Sequence, residues 1–460
     1  MAAVESEKMR TMPIGKLLFT MAIPAMLSML VKALYNIVDS IYVSNYSSVG
    51  LDALSIVFPL QTIVIALAIA IGVGTNALVA RKLGERQPEE ANHIAGNGIL
   101  IAIFGTIFII ILAIFLPQPF MTWFTNDAQT IADGTIYLQI VMFFSVGVFI
   151  EICLCRILQA TGNMRVPMIS QILGAVINII LDPVFIFGFW FIPSLGVMGA
   201  AIATVIGQII SMIYVILYFV FKKQEIKIAL RYFKPNKSYI LNISRIALPT
   251  FVMNSINSFT TTIMNLILKE YPYAITIHGV YFKIRSFIYM PVFGMTQGLM
   301  PILSYNYGAN LEDRFKKARR IATITSFIIL AVGALLFFVI PQAFLGLFNL
   351  QGDALAVGNY SLRVLALSFF GSAFCIVASV ALQSLGNGLG SLIITLSRQI
   401  IIAIPIALLF SYLFGFDGVF YCYVAAEIIV AIISYPIQLR IVNKKFKAKE
   451  KREMNLSSNA

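Results

Sequence analysis

Long apolar runs constrain the fold of this chain most, because each run has to be kept out of water over its whole length. Twelve such runs carry few charges, and they lie near 14–43, 51–80, 93–116, 134–156, 167–190, 197–221, 240–268, 275–305, 319–341, 355–383, 390–414 and 418–440. A helix needs roughly 20 apolar residues to cross about 30 Å of hydrocarbon. The runs therefore predict an all-α integral membrane protein with twelve transmembrane helices.

Positive residues alternate along the chain in a way that predicts its orientation. Lys and Arg gather in both tails and in the connections after the second, fourth, sixth and eighth runs. The odd-numbered connections hold almost none, with Lys269 as the exception. Because positive loops stay on the inner side, both termini are predicted to be cytoplasmic. Membrane topology therefore explains where the positive residues behind the net charge of +13 are found. Nucleic acid is not an expected partner.

The two halves of the chain repeat each other at a nearly constant offset. The sequence LQATGN at Leu158–Asn163 recurs 224 positions later as LQSLGN at Leu382–Asn387. Other matching pairs are Pro117–Phe120 with Pro341–Phe344, Gly84 with Gly308, and Ala22–Pro24 with Ala247–Pro249. The repeat holds six helices, an even number, so both copies share one orientation. We therefore expect two six-helix lobes related by a pseudo-two-fold axis along the membrane normal.

The repeat also sets the predicted domain boundaries. Residues 1–221 form the first lobe, 222–245 a cytoplasmic linker, 246–440 the second lobe and 441–460 a basic cytoplasmic tail. No catalytic constellation of paired histidines, GxSxG or a phosphate-binding glycine loop is present in the sequence. Duplicated six-helix halves favour an alternating-access carrier rather than an enzyme.

Two predicted helices carry polar stripes. On the first helix, Tyr35 and Asp39 belong to a stripe that also includes Ser28, Lys32 and Tyr42; on the fifth, Asn178 and Asp182 are one turn apart. A charge at the bilayer centre costs about 2.5–3.5 kcal/mol on insertion scales, so such residues face a cavity or a partner. Two carboxylates that meet would repel and take up H⁺, whereas an oxygen shell could instead bind Na⁺. A structural ion pair between Asp39 and Lys32 is the alternative.

The order of motifs resembles the multidrug and toxic compound extrusion (MATE) family, in its bacterial DinF-like and MepA-like branch. The motifs are LYNIVDSIYV (Leu34–Val43), GVGTNALVARKLGE (Gly72–Glu85), LQATGN, NIILDPVFIFGF (Asn178–Phe189), GVMGAAIAT (Gly196–Thr204) and KIRSFIYMPVFGMTQGLMPILSYNYGA (Lys283–Ala309). This resemblance covers all twelve predicted helices. It implies a monomeric exporter in the bacterial inner membrane that moves organic cations or amphiphilic drugs, with membrane lipids as further partners.

The resemblance also implies roles for individual residues. Exchange for inward-moving H⁺ or Na⁺ would need no cofactor. The residues that match the family's ion-coupling constellation are Asp39, Tyr35, Asn178, Asp182 and Thr204, with Na⁺ possible at Asp39, Asn178 and Asp182. Pro24 matches a first-helix proline linked to bending. Family members of the Na⁺-coupled NorM type carry an acid in the seventh helix, and 253–265 here carries none.

Other residues are candidates for the substrate cleft or for a different cargo. The cleft candidates are Glu151, Asn254, Asn257, Met290 and Phe293, although Glu151 could equally pair with Arg156. The alternative function is a lipid-linked oligosaccharide flippase of the same superfamily, whose pyrophosphate cargo requires basic residues. Those available are Lys32, Lys283, Arg285, Arg363 and Arg398.

The predicted topology can be tested with an impermeant thiol reagent on intact cells. A cysteine at Ser47, after the first run, should be labelled, and a cysteine at Ser238, in the linker, should not. The native cysteines all fall inside apolar runs, which keeps the background low. Labelling of a cysteine at position 238 but not at position 47 would show that the orientation in the membrane is opposite to the predicted one.

Overall fold

Helices dominate the structure because a backbone in hydrocarbon can satisfy its own N–H and C=O groups only within a helix or a closed barrel. The computed structural model describes residues 5–190, 193–269, 271, 273–346, 348 and 352–458. In chain order, helices α1 to α18 are Lys8–Thr11, Ile14–Tyr46, Ser48–Gly84, Pro88–Phe115, Pro117–Phe124, Ala128–Phe143, Val146–Ala160, Arg165–Ile186, Gly196–Phe221, Lys237–Leu268, Ala274–Gly308, Glu312–Val339, Pro341–Gly346, Gly352–Ala366, Ser368–Ser384, Gly388–Leu396, Ala403–Phe414 and Phe416–Ser458. Strands are absent from these described ranges, so the all-α prediction is confirmed.

The predicted apolar runs correspond to helices of membrane-spanning length. In the described part of the chain, nine helices are long and apolar enough to span, and two bent pairs raise the number to eleven. These pairs are α6 with α7, bent by 46°, and α14 with α15, bent by 40°. Helix α10 supplies the twelfth run; its 32 residues include an Asn- and Thr-rich stretch that lowers its mean hydropathy. The sequence did not predict the two bends.

Packing divides the chain into two units whose boundaries lie inside helices. The first unit comprises 1–8 and 27–251, and the second comprises 9–26 and 252–460. Helix α2 is divided after Met26 and α10 after Phe251, and 26 + 225 = 251, so the two division points are equivalent in the repeat. Each long helix thus contributes its first half to one unit and its second half to the other. The lobe boundaries predicted from the repeat remain a prediction.

Glycines explain why the first half of α2 packs in the second unit. Gly294 and Gly298 of α11 are spaced as a small-xxx-small motif, which lets helix backbones approach closely. A Cβ atom on Gly294 would lie 2.5 Å from Met26 Cα, and one on Gly298 would lie 2.9 Å from Ala22 N. In the first unit, Gly74, the repeat equivalent of Gly298, would meet the Ile243 carbonyl of α10 at 2.7 Å. In both units, a glycine thus allows close packing of the half-helix, from α2 in the second unit and from α10 in the first, against its neighbouring helix.

Helix α18 continues well past residue 440, where the sequence predicted a basic tail to begin. It ends at Ser458, so the basic segment described here is helical. Lys449 Nζ donates to the carbonyls of Tyr307 and Gly308 at 3.0 and 2.5 Å. Those carbonyls close α11, and a cation at a helix carboxyl terminus is stabilising.

Helix α4 holds the connection between the two halves of the chain. Asn97 is fully buried; its Nδ2 donates to the Lys234 carbonyl at 3.1 Å and its Oδ1 accepts from Asn236 N at 2.9 Å. Asn92 Oδ1 likewise accepts from Lys227 N at 2.8 Å. These amide side chains satisfy backbone groups that would otherwise lie buried without partners.

Substituting Asn97→Ala should free the connection without unfolding α4. The loss of two buried hydrogen bonds costs about 1–3 kcal/mol, so local opening should increase roughly tenfold. Limited trypsin digestion at the basic residues of 222–237 would report this as faster cleavage. Thr106→Ala removes a buried hydroxyl that bonds only within α4. It should leave the cleavage rate unchanged, and equal rates for both variants would contradict this role of Asn97.

Candidate ion-binding site

Helices α8 and α9 bring three predicted site residues into direct contact inside the first unit. Asn178 and Asp182 of α8 are 2% and 0% exposed, and Thr204 of α9 is also buried. Asn178 Nδ2 donates to Asp182 Oδ1 at 3.1 Å and to Thr204 Oγ1 at 3.4 Å. Residues four apart share one helical face, so the asparagine amide lies directly beside the carboxylate.

Helix α2 adds the second carboxylate. Asp39 lies in the part of α2 that belongs to the first unit, and its Oδ1 is buried. Asp39 interacts electrostatically with Asp182, and Tyr35, one turn earlier, lies near both acids. All five predicted coupling residues therefore fall in the first unit.

Three buried oxygens of this cluster lack a hydrogen-bond donor among the described residues. They are Asp39 Oδ1, Asn178 Oδ1 and Asp182 Oδ2. Buried polar atoms are almost always paired, since an unpaired one costs about 1–3 kcal/mol. Carboxylate and amide oxygens accept hydrogen bonds and bind hard cations, so the donor set fits a bound H⁺ or Na⁺. No group of three or more His, Cys, Asp or Glu within the described ranges could hold another metal ion.

Two residues that the sequence did not identify complete the surroundings. Tyr137 of α6 is buried and lies near Asp39, Tyr35 and Thr204. Gln61 of α3 donates to the Tyr137 hydroxyl at 3.5 Å, a long contact. Both are isolated polar residues in apolar runs, which is the signal that could have identified them.

Lys32 interacts electrostatically with Glu151. Within the part of the chain that the structure describes, no ion pair joins Lys32 to Asp39, so that alternative is not realised. Glu151 is 7% exposed, and its Oε1 accepts from Cys155 Sγ at 3.1 Å and Ser170 Oγ at 3.0 Å. Among the residues that the structure describes, no ion pair within 4 Å joins Glu151 to Arg156, the partner that the sequence suggested.

The remaining predicted residues are divided between the two units. Asn254 is exposed, Met290 is half-buried and Phe293 is 42% exposed, all in the second unit, whereas Glu151 belongs to the first. The side chain of Asn257 lies outside the described residues. Pro24 lies inside α2, two residues before that helix passes between units. Their roles remain predictions.

The second half of the chain keeps the helices but not these acids. Position 39 + 225 is Met264, which is fully buried, and 178 + 224 and 182 + 224 are Ile402 and Ile406. A side chain needed only for helix packing should recur in both copies. This asymmetry favours a role in function over one in packing for the acids of the first unit, which stays a prediction.

Comparison with known proteins gives matches over most of the chain. The sequence model of the MatE family matches residues 24–184 and 249–409, two segments at an offset of 225. The chain is similar to the multidrug export protein MepA of Staphylococcus aureus (strain MSSA476), with 26% identity over 426 residues, 91% of this chain and 92% of the relative. MepA of Staphylococcus saprophyticus is 24% identical over 413 residues, covering 89% and 90%.

Solved structures share the fold. An outward-facing multidrug resistance MATE family transporter of the MOP superfamily is similar, with a TM-score of 0.90 and 23% identity over 97% of this chain and 99% of that one. A MOP superfamily transporter from Pyrococcus furiosus, described as having a binding pocket of reversed polarity, gives the same values. These likenesses confirm the predicted fold of twelve helices in two six-helix lobes.

Replacing Asp182 by Asn should stabilise the ion-free protein. The carboxamide keeps one acceptor, offers donors in place of the unpaired Oδ2, and removes the repulsion from Asp39. At alkaline pH we expect the unfolding midpoint in detergent to rise by about 2–4 °C, the shift expected for roughly 1 kcal/mol. Asn178→Asp adds a third acid and should lower the midpoint. An unfolding midpoint of Asp182→Asn below that of the wild type would mean that the Asp182 carboxylate makes a stabilising interaction in the ion-free protein.

Proposed function

Because the chain belongs to the MatE family, we propose that it is a secondary active multidrug efflux transporter that exports organic cations in exchange for H⁺ or Na⁺. The family consists of transporters, so the chain is not an enzyme. The observation that carries the proposal is the set of three buried, unpaired oxygens around two carboxylates in an apolar helix bundle.

The coupling ion would bind at this cluster. A proton taken up by Asp39 or Asp182 converts an unpaired acceptor into a donor and removes the repulsion between the two acids. A Na⁺ ion would instead be held by Asp39, Asp182 and the Asn178 carbonyl oxygen, with Tyr35 and Thr204 nearby. Either ion neutralises charge that is costly in hydrocarbon.

Helix α2 would transmit the effect of ion binding. Asp39 is in the portion of α2 that packs in the first unit, and residues 9–26 pack in the second. Pro24 removes one helical hydrogen bond close to the division point, which makes this the place where α2 bends with least cost. Neutralising Asp39 would therefore change the conformation of a helix shared by both units.

The exported compounds would be organic cations or amphiphilic drugs. The relatives described as multidrug export proteins support this class, and Glu151 offers a buried negative charge in the first unit. We propose that the protein works as a monomer in the cell membrane, with both termini in the cytoplasm. Ion and drug would favour different states of the carrier, as coupling requires.

A lipid-linked oligosaccharide flippase is the second candidate function. Its pyrophosphate cargo would need several basic residues without acidic partners. Arg398 pairs with Glu427 and Lys32 interacts electrostatically with Glu151, so the charges of two of the five candidate cations are partly compensated. This pattern supports drug export over flipping.

Asp39→Asn should strongly reduce ion-driven drug transport while leaving drug binding in place. The substitution keeps the shape of the side chain and removes the titratable group, so the variant should fold and still bind an ethidium-like dye. In proteoliposomes with an imposed pH or Na⁺ gradient, uphill dye transport should fall at least about tenfold, within the usual range of coupling energies. Wild-type transport by a well-folded Asp39→Asn protein would make Asp39 a structural residue.

A matched control uses the equivalent position of the repeat. Met264→Asp added to Asp39→Asn should not restore coupling, because Ile402 and Ile406 supply no polar partner. Movement of a lipid-linked sugar precursor by a wild-type protein that leaves dye levels unchanged would favour the flippase.

A further inference from the structure

The second unit contains a buried charged cavity that the proposed function does not use. A partly open cavity of about 10 Å³, room for about one water-sized molecule, lies between α10, α11, α18 and the segment that joins α16 to α17. Its charged and amide lining residues are Arg285, Arg398, Gln399 and Glu427, and the rings of Phe282 and Tyr423 form part of the wall.

The charges around this cavity do not balance. Arg398 Nε lies 3.3 Å from Glu427 Oε1, and the two side chains are 11% and 9% exposed. No described carboxylate lies within 4 Å of Arg285, whose guanidinium instead lies over Phe282, 4.5 Å from the ring centroid. Glu427 interacts electrostatically with both arginines. Arginine stays protonated, so two cations face one anion and the net charge is +1.

Polar atoms around the cavity also lack partners. Arg398 Nε, Gln399 Oε1 and Glu427 Oε2 are buried and make no hydrogen bond to any described residue. Arg398 and Gln399 lie on a π-helical turn, Ser397–Ile401, in which Ile402 N donates to the Ser397 carbonyl at 3.0 Å. Single π-turns inside helices occur often at functional sites, because they redirect side chains. Here the turn directs two polar side chains to the cavity.

The repeat relates this cavity to the acidic cluster of the first unit. Since 285 − 224 = 61 and 260 − 225 = 35, Arg285 and the cavity-lining Thr260 occupy the positions of Gln61 and Tyr35. Glu427 is next to the counterpart of Thr204, because 204 + 224 = 428, and Arg398 is one turn before Ile402, the counterpart of Asn178. Equivalent helices thus carry excess negative charge in one half and excess positive charge in the other.

We propose that this cavity is a binding site for one monoanion of the size of a halide ion or a carboxylate group, held between Arg285 and Arg398. An unbalanced guanidinium inside a membrane protein is costly, and an anion would neutralise it and supply an acceptor for the unpaired Nε–H of Arg398. The anion could be free chloride or the carboxylate of a zwitterionic substrate. This site does not depend on the proposed cation export, because anion binding needs no transport.

Thermal unfolding of the purified full-length protein in detergent tests the site. Sodium chloride and sodium benzoate are titrated separately into the wild type and into Arg285→Gln and Arg398→Gln variants. Lys283→Gln is the matched control, since it removes one exposed positive charge from the same helix. We expect at least one anion to raise the wild-type and control midpoints by about 2 °C at saturation, and to raise those of the arginine variants much less.

Glu427→Gln keeps the proposal testable if the arginine variants do not fold. Removing the carboxylate that competes for Arg398 should lower the half-saturating anion concentration about tenfold. A response to chloride indicates a halide site, and a response to benzoate alone indicates a site for a substrate carboxylate. An anion-dependent shift that is equal in wild type, arginine variants and Glu427→Gln would overturn the proposal.

Discussion

The cost of burying polar groups away from water determines the rest of this structure. It explains why nearly every described residue is helical, since a helix satisfies its own backbone in hydrocarbon. It explains why the connection between the halves is fastened by Asn92 and Asn97, which pair with backbone groups. Buried polar atoms without a hydrogen-bond partner are therefore informative, because each one lowers the stability of the fold and other interactions must offset that loss. Six of the sixteen such atoms in the described part of the chain lie in two clusters of three, one in each unit.

The sequence predicted those parts of the molecule that depend on periodicity. Twelve runs, six per half, correspond to the helices, and the spacing of Asn178 and Asp182 correctly placed them on one face of α8. The constant offset between the halves predicted a duplication that the two matched family segments confirm. These features depend on the spacing of apolar and polar residues along the chain, which can be analysed without knowing which helices are neighbours.

The sequence did not predict features that arise from contacts between helices. Lys32 of α2 interacts electrostatically with Glu151 of α7, and the positions of the two residues in the chain do not show that they interact. Tyr137 and Gln61 approach the acidic cluster from helices that carry no recognisable motif. The breaks before Val146 and Ser368 were not predicted either, since no proline marks them. The spacing of residue types along the chain does not show which helices contact each other in the folded protein.

The exchange of half-helices has a consequence for how the chain is made. Residues 9–26 pack with α11, whose Gly294 and Gly298 are synthesised some 270 residues later, since 298 − 26 = 272. At about 5–20 residues per second, the first half-helix stays without its partner for roughly 15 to 55 seconds. Throughout that time the face of α2 that packs against Gly294 and Gly298 lacks its native partner. Residues 9–26 therefore reach their native packing only after translation has passed the midpoint of the chain.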